Sequence, residues 1–267
     1  MLAPRFEVKA ARQAPFNVNI PQQPHLCLEF GRSVPISLRH LATLSLLLAL
    51  TPIRAFAARP FVTDDARIVD AGGCQIETFV KKQGDFGERE VWFLPGCNPS
   101  GNLELTFGGL NIRNDADGRA STLIAQGKTM LKPLQANDYG VALTLGAIRQ
   151  RPFAADPASR WSPFFNLISS ASLQSDAITI HLNAGALDDR NARVMRPTWG
   201  FGGEILVGPR LYAIVESYGQ KGEKTSQQIG LRLWVVPGRL QVDGTLGSQR
   251  SGSRARNWMS LGLRLLF

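Results

Sequence analysis

Histidine is nearly absent from this chain: three occur in 267 residues, and His25 and His40 both precede residue 58. His181 is then the only imidazole in the remainder, so a His-built metal centre is excluded. Cysteine is equally scarce. Cys27 shares the leading portion, which leaves Cys74 and Cys97 with no further Cys or His nearby to complete a ligand set. No metal and no cofactor is therefore expected. Long apolar runs are missing too. The run Leu41–Leu50 is about ten residues, half of what a membrane helix needs. No helical period holds over a long window after residue 58. What remains is an all-β chain.

The leading portion reads as an export signal. Arg32 and Arg39 precede the apolar run, and Ala55-Phe56-Ala57 follows it, which places cleavage after Ala57. Residues 1–57 are then a removed N-terminal extension and signal peptide, 58–73 a periplasmic lead-in, and 74–267 the folded unit. The high charge, net +9, shrinks with that removal. Residues 1–57 carry six of the 30 basic and two of the 21 acidic side chains, which leaves net +5. Nucleic-acid binding does not follow from such a balance. An exported chain with two cysteines is expected to join them, and Cys74 and Cys97 fall opposite each other if a hairpin turns at Asp85-Phe86.

The last residues are the strongest positive signal. Met259, Leu261, Leu263, Leu265 and Phe267 share one face of a strand, and Ser260, Gly262 and Arg264 share the other. An unprotected apolar edge invites aggregation in a soluble protein. In a closed membrane barrel the same strand pairs with the first, with one face to lipid and one to the lumen. The ending resembles the C-terminal assembly signal of bacterial outer-membrane proteins, so the barrel-assembly machinery is an expected partner. Eleven earlier segments repeat the pattern: 74–83, 88–95, 102–112, 120–131, 139–148, 164–173, 177–187, 198–207, 211–220, 226–236 and 239–247. With 257–267 they make about twelve strands, an even number. Tight connections after strands six, eight and ten alternate with longer polar ones after five, seven, nine and eleven. That parity places both termini on the periplasmic side of a closed antiparallel transmembrane barrel.

If the apolar face meets lipid, the other face lines the lumen. It carries Glu77, Glu90, Glu104, Lys128, His181, Glu204, Glu216, Arg232, Asp243 and Arg264, with both signs represented. Such charges are costly in a packed core but can pair with one another inside a barrel. Gly146, Gly200, Gly202, Gly230 and Gly262 fall on the same face. Trp199, Trp234, Trp258, Phe107, Phe164 and Phe165 lie near strand ends, where an interfacial aromatic girdle is expected. The long connections carry Arg149, Arg151, Arg160, Arg190, Arg193, Arg196, Lys221, Lys224, Arg250, Arg254 and Arg256. These either attract lipopolysaccharide phosphates and anionic solutes or simply keep polar loops solvated.

Residues 58–70, Ala-Arg-Pro-Phe-Val-Thr-Asp-Asp-Ala-Arg-Ile-Val-Asp, are followed by Gly73-Cys74-Gln75-Ile76-Glu77. This stretch is similar to the N-terminus of a proteobacterial outer-membrane family, the phenol-degradation-pathway (MetA-pathway) or transporter-like proteins. The resemblance implies an outer-membrane barrel that takes up hydrophobic or aromatic compounds. The cysteine pair departs from that family. Physically, Thr63-Asp64-Asp65 reads as a polar plug or as a periplasmic turn before the first strand.

The expectation is an outer-membrane passive channel or uptake barrel for small or hydrophobic solutes, in contact with outer-membrane lipid and lipopolysaccharide, and not an enzyme. A lipid-hydrolysing barrel is the rival, weakened because Asn183 stands where a serine two residues after His181 would be needed. A structural surface barrel and a soluble periplasmic β-sandwich are further alternatives.

Overall fold

In a computed structural model, residues 62–84, 87–114, 118–151, 159–251 and 254–267 are described. The expected signal and cleavage site, the turn at Asp85-Phe86 and residues 115–117 of the turn before the fourth strand fall outside them. The described residues form no helix and twelve strands. They are β1 Cys74–Gln83, β2 Arg89–Cys97, β3 Glu104–Asn114, β4 Gly118–Lys132, β5 Tyr139–Arg151 and β6 Trp161–Leu173, followed by β7 Ile178–Asp189, β8 Val194–Gly208, β9 Leu211–Gln220, β10 Ser226–Val236, β11 Leu240–Ser251 and β12 Arg254–Leu266. Each pairs antiparallel with its chain neighbours, and β1 pairs with β12, closing the barrel.

Alternation of side chains explains the closure. Along β12, Met259, Leu261, Leu263 and Leu265 point outward and are exposed, while Ser260 and Arg264 are buried. The same alternation holds on β10, where Ile229, Leu231 and Leu233 are exposed and Gln228, Arg232 and Trp234 are buried. The result inverts a soluble protein, with an apolar belt outside and a polar core inside. Only lipid or detergent solvates such a belt, and closure satisfies every ladder group at that depth. The last rung is made by the terminal residue. Phe267 N–H donates to Cys74 O at 3.0 Å, and Cys74 N–H donates to Phe267 O at 2.7 Å. Deleting Phe267 removes both bonds and frees the β1 edge. The expected result is loss of the heat-modifiable, detergent-resistant band on unboiled gels; an unchanged band would count against this rung.

β1, β9 and β10 have the bounds expected from the sequence. β2 extends instead to Cys97 at the Phe267 end, and the others gain most of their length at the rim away from Phe267: β8 begins at Val194 rather than Thr198, and β5 runs to Arg151 rather than Ile148. There apolar and polar side chains stop alternating, as in Arg149-Gln150-Arg151 and Val194-Met195-Arg196, while the backbone ladder continues. Much of the expected long connections is therefore ladder, and loop length separates the rims less than expected. We call this end the loop rim and the end holding Gly73 and Phe267 the terminal rim. The tight turn Pro237-Gly238 at the terminal rim uses a left-handed glycine (φ 68°). Cys74 and Cys97 face each other across β1 and β2 at the terminal rim, Cα atoms 4.0 Å apart, and are disulfide-bonded.

Half of the expected girdle is not a girdle. Phe107, Phe165 and Trp199 are exposed on the outer face, but Trp234 and Trp258 are buried inside the barrel, and Phe164 also faces inward. Parity is the reason: Trp258 is in phase with Ser260 and Arg264, and Trp234 with Arg232.

Candidate functional site

The segment 62–73 does not lie below the barrel. It runs into the lumen, and Thr63, Asp65, Ala66, Ile68 and Val69 are buried. A chain in this position has no ladder of its own, so its backbone groups must be satisfied by the wall. Four strands do so, and a fifth holds its carboxylates. Val69 N–H donates to Glu104 Oε2 of β3 at 2.9 Å. Ala66 N–H donates to Ser170 Oγ of β6 at 2.9 Å. Asp64 N–H donates to Asn183 Oδ1 of β7 at 2.8 Å, and Asn183 Nδ2 returns a bond to Asp64 O at 2.8 Å. Thr63 N–H donates to Glu216 of β9. Lys128 Nζ of β4 bridges Asp64 and Asp65 at 2.9 and 3.3 Å. Thr63-Asp64-Asp65 is thus a plug rather than a turn.

The wall is cut to fit it. A Cβ on Gly200 would meet Thr63 Oγ1 at 2.6 Å, so a glycine is needed where plug and β8 touch. Gly146 plays the same part for the Phe164 ring, also 2.6 Å from a Cβ built there.

All ten positions read from the sequence, Glu77, Glu90, Glu104, Lys128, His181, Glu204, Glu216, Arg232, Asp243 and Arg264, lie buried on the inner face. Most of them connect directly to one another or to the plug. Arg264 Nε donates to Gln75 Oε1 at 2.7 Å and lies 3.7 Å from Glu77. Gln75 Nε2 donates to Glu104 Oε1 at 2.9 Å. On the opposite wall Arg232 pairs with Glu204 at 2.7 Å and faces Asp243 across β10 and β11. Glu90 pairs with Lys81 at 2.8 Å. The uncharged anchors Gln75, Ser170, Asn183 and Gln228 carried no sequence signal beyond their phase on each strand.

His181 is where chemistry deserves a test. Its Nδ1 lies 2.8 Å from Ser170 Oγ on the neighbouring strand, and its Nε2 lies 3.2 Å from Glu204 Oε1. Because a carboxylate only accepts, Nε2 carries a proton. Ser, His and acid in a row have the composition of a hydrolytic triad. Ser170 Oγ, however, also accepts the Ala66 N–H, and both Ser170 and His181 are buried beneath the plug. In this arrangement the row holds the plug.

The plug divides the interior into two unlike spaces. Toward the loop rim lies a vestibule of about 410 Å³, floored by Val62, Thr63 and Asp64. Trp92, Ile124, Ile148, Phe164, Leu187 and Tyr218 make its wall largely apolar, with amides from Gln126, Asn166 and Asn183. Toward the terminal rim a cavity of about 30 Å³ remains, lined by Asp64, Asp65, Arg67, Glu77, Glu104, Lys128 and Arg264. One side suits a small apolar or aromatic molecule; the other has room for about one water.

These features define a class: a twelve-stranded β-barrel of outer-membrane type with its own N-terminal segment folded into the lumen. The chain belongs to the family described as uncharacterised conserved protein UCP029691, which matches residues 44–267. Among solved structures the fold is similar to the KdgM porin in complex with disordered oligogalacturonate, at 10% identity, covering 72% of this chain and 98% of that one, with a TM-score of 0.53. It is also similar to the NanC porin, at 9% identity, covering 71% and 98%, with a TM-score of 0.52. No curated protein matches the sequence.

Proposed function

We propose that this protein is a passive outer-membrane uptake barrel for small, partly apolar or aromatic solutes, with both termini in the periplasm. The observation that carries the reading is the divided lumen: an aromatic-lined vestibule opens toward the loop rim, and the plug floors it. A solute of matching size buries its apolar surface against Trp92, Phe164 and Tyr218 while the amides take its polar groups. Onward passage requires the plug to yield. The apolar outer belt and the porin-like fold support insertion in the outer membrane, and the β12 pattern supports delivery by the barrel-assembly machinery. The similarity of residues 58–77 to the phenol-degradation-pathway family supports the same solute class.

The test uses intact cells that contain periplasmic alkaline phosphatase and lack general porins. Cells expressing the barrel are expected to hydrolyse p-nitrophenyl phosphate several-fold faster than cells with empty vector, on the order of the tenfold that ~1.4 kcal/mol represents. A Trp92→Ala/Phe164→Ala/Tyr218→Ala variant with an intact heat-modifiable band should lose that gain. A folded barrel that confers no gain would remove the uptake reading.

A further inference from the structure

The outer wall carries a row of cations that the lumen and the plug do not use. Lys82 on β1 lies directly opposite Arg89 on β2, Arg89 lies opposite Arg113 on β3, and Arg113 lies opposite Arg119 on β4. All four share the outward face and are exposed. On β5, Arg151 lies opposite Ser121, the next outward residue of β4 after Arg119, and Arg149 follows on the same face. The band therefore crosses five adjacent strands, with the β5 arginines nearer the belt than the row of four.

Two features make this more than a solvated rim. Like charges directly opposite on neighbouring strands are destabilising, with Cβ atoms only about 5 Å apart. A row of four in register is a standing cost unless an anion lies along it. Among the described residues, no carboxylate forms an ion pair with any of these four. The ion pairs at this end of the barrel, Lys81 with Glu90, Arg190 with Asp188 and Arg196 with Asp189, lie elsewhere. The height is also specific. Lys82 and Arg89 sit one outward position beyond apolar residues of the belt, Val80 and Val91, and Arg113 and Arg119 one beyond Asn111 and Ser121. That step is about 7 Å along a strand, which puts the row where the acyl region of a leaflet gives way to headgroups.

We propose that the loop-rim end of β1–β5 is a binding site for the phosphorylated glycolipid headgroup of the outer leaflet, a lipid A-type molecule bearing two phosphates. The guanidinium forks of Arg89, Arg113 and Arg119 are suited to phosphate oxygens, and Lys82 adds a point charge. A row several strands wide matches a headgroup with more than one phosphate better than it matches a single phosphodiester. The acyl chains of the same lipid lie down the wall against Val80, Val91, Phe93 and Phe107. This inference rests on the proposed insertion in the outer membrane with the loop rim outward.

The experiment uses the full barrel refolded in mild detergent and titrated with bisphosphorylated lipid A, with dephosphorylated lipid A and with phosphatidylglycerol, read by native mass spectrometry. Wild type is expected to retain bisphosphorylated lipid A about tenfold more than either other lipid, since each charge-assisted bond lost is a sizeable factor. A Lys82→Gln/Arg89→Gln/Arg113→Gln/Arg119→Gln variant should lose that preference. An Arg210→Gln/Arg239→Gln variant, altered at the terminal rim, should keep it. Equal retention of all three lipids by wild type, or an unchanged preference in the fourfold variant, overturns the site. Cell fractionation separates the two readings. Absence of a heat-modifiable band from outer membranes defeats the insertion itself, whereas a folded outer-membrane barrel without lipid A preference defeats this inference alone.

Discussion

A variant lacking residues 58–69 is expected to conduct far more than the full-length barrel. The plug residues Asp65 and Ala66 are buried at mid-lumen, and five strands hold the segment by seven contacts to its backbone and carboxylates. Conduction needs a continuous watery path. Removing the segment supplies one, bounded by Glu104, Lys128, His181 and Glu216. Single-channel conductance in planar bilayers is expected to rise by roughly an order of magnitude or more, because the polar wall then faces water along the barrel. Gly200→Val gives an independent route to the same result. Its side chain would occupy the space of Thr63, displacing the top of the plug while deleting nothing. Both variants conducting like the intact barrel would mean that the plug does not close the lumen.

Arg232 is expected to be the most sensitive single side chain for stability. It is fully buried, pairs with Glu204 at 2.7 Å and faces Asp243. Arg232→Met keeps the volume and removes the charge. Two buried carboxylates then lose their cation, and breaking a buried pair from one side costs about 3–5 kcal/mol. Urea unfolding in lipid vesicles, followed by tryptophan fluorescence, would measure it. The wall beside Arg232 includes Trp234, buried on the same strand, so the signal is local. The triple variant Arg232→Met/Glu204→Gln/Asp243→Asn should recover most of the loss, because a neutral lumen no longer holds unpaired charge. A single variant within about 0.5 kcal/mol of wild type, the range of an ordinary surface change, would show the network to be incidental.

The cost of such a network clarifies why it is there. Glu204 joins Arg232 to His181, His181 reaches Ser170, and Ser170 takes the Ala66 N–H. The charged wall is one end of a connected hydrogen-bond path that ends on the plug. Replacing it with apolar side chains would fill the lumen equally well but would leave the plug backbone without partners.

The arrangement of strands was legible in the residues because a barrel reads out a local rule. Period two assigns each side chain to lipid or lumen without knowledge of its neighbours. Hence phase alone assigns Glu104, Lys128 and Arg264 to the lumen, whatever strand each one pairs with. The same rule assigns Trp258 and Trp234 inward, and the girdle expectation overrode it. Strand ends were less legible at the loop rim, where the alternation that marks a strand disappears although pairing persists.

What the chain alone determined was therefore the number of strands, their phase and the sign of each face, all set by neighbours one or two residues apart. The tertiary structure decided what depends on distant residues meeting. Thr63 reaches Glu216 across 153 positions, and Ala66 reaches Ser170 across 104. Thr63-Asp64-Asp65 satisfies a plug and a turn equally as local sequence; only the placement of Lys128, Asn183 and Gly200 around it separates them. The cation row is of the same kind. Lys82, Arg89, Arg113 and Arg119 are unremarkable one by one, and register alone brings four positive charges side by side on the outer wall.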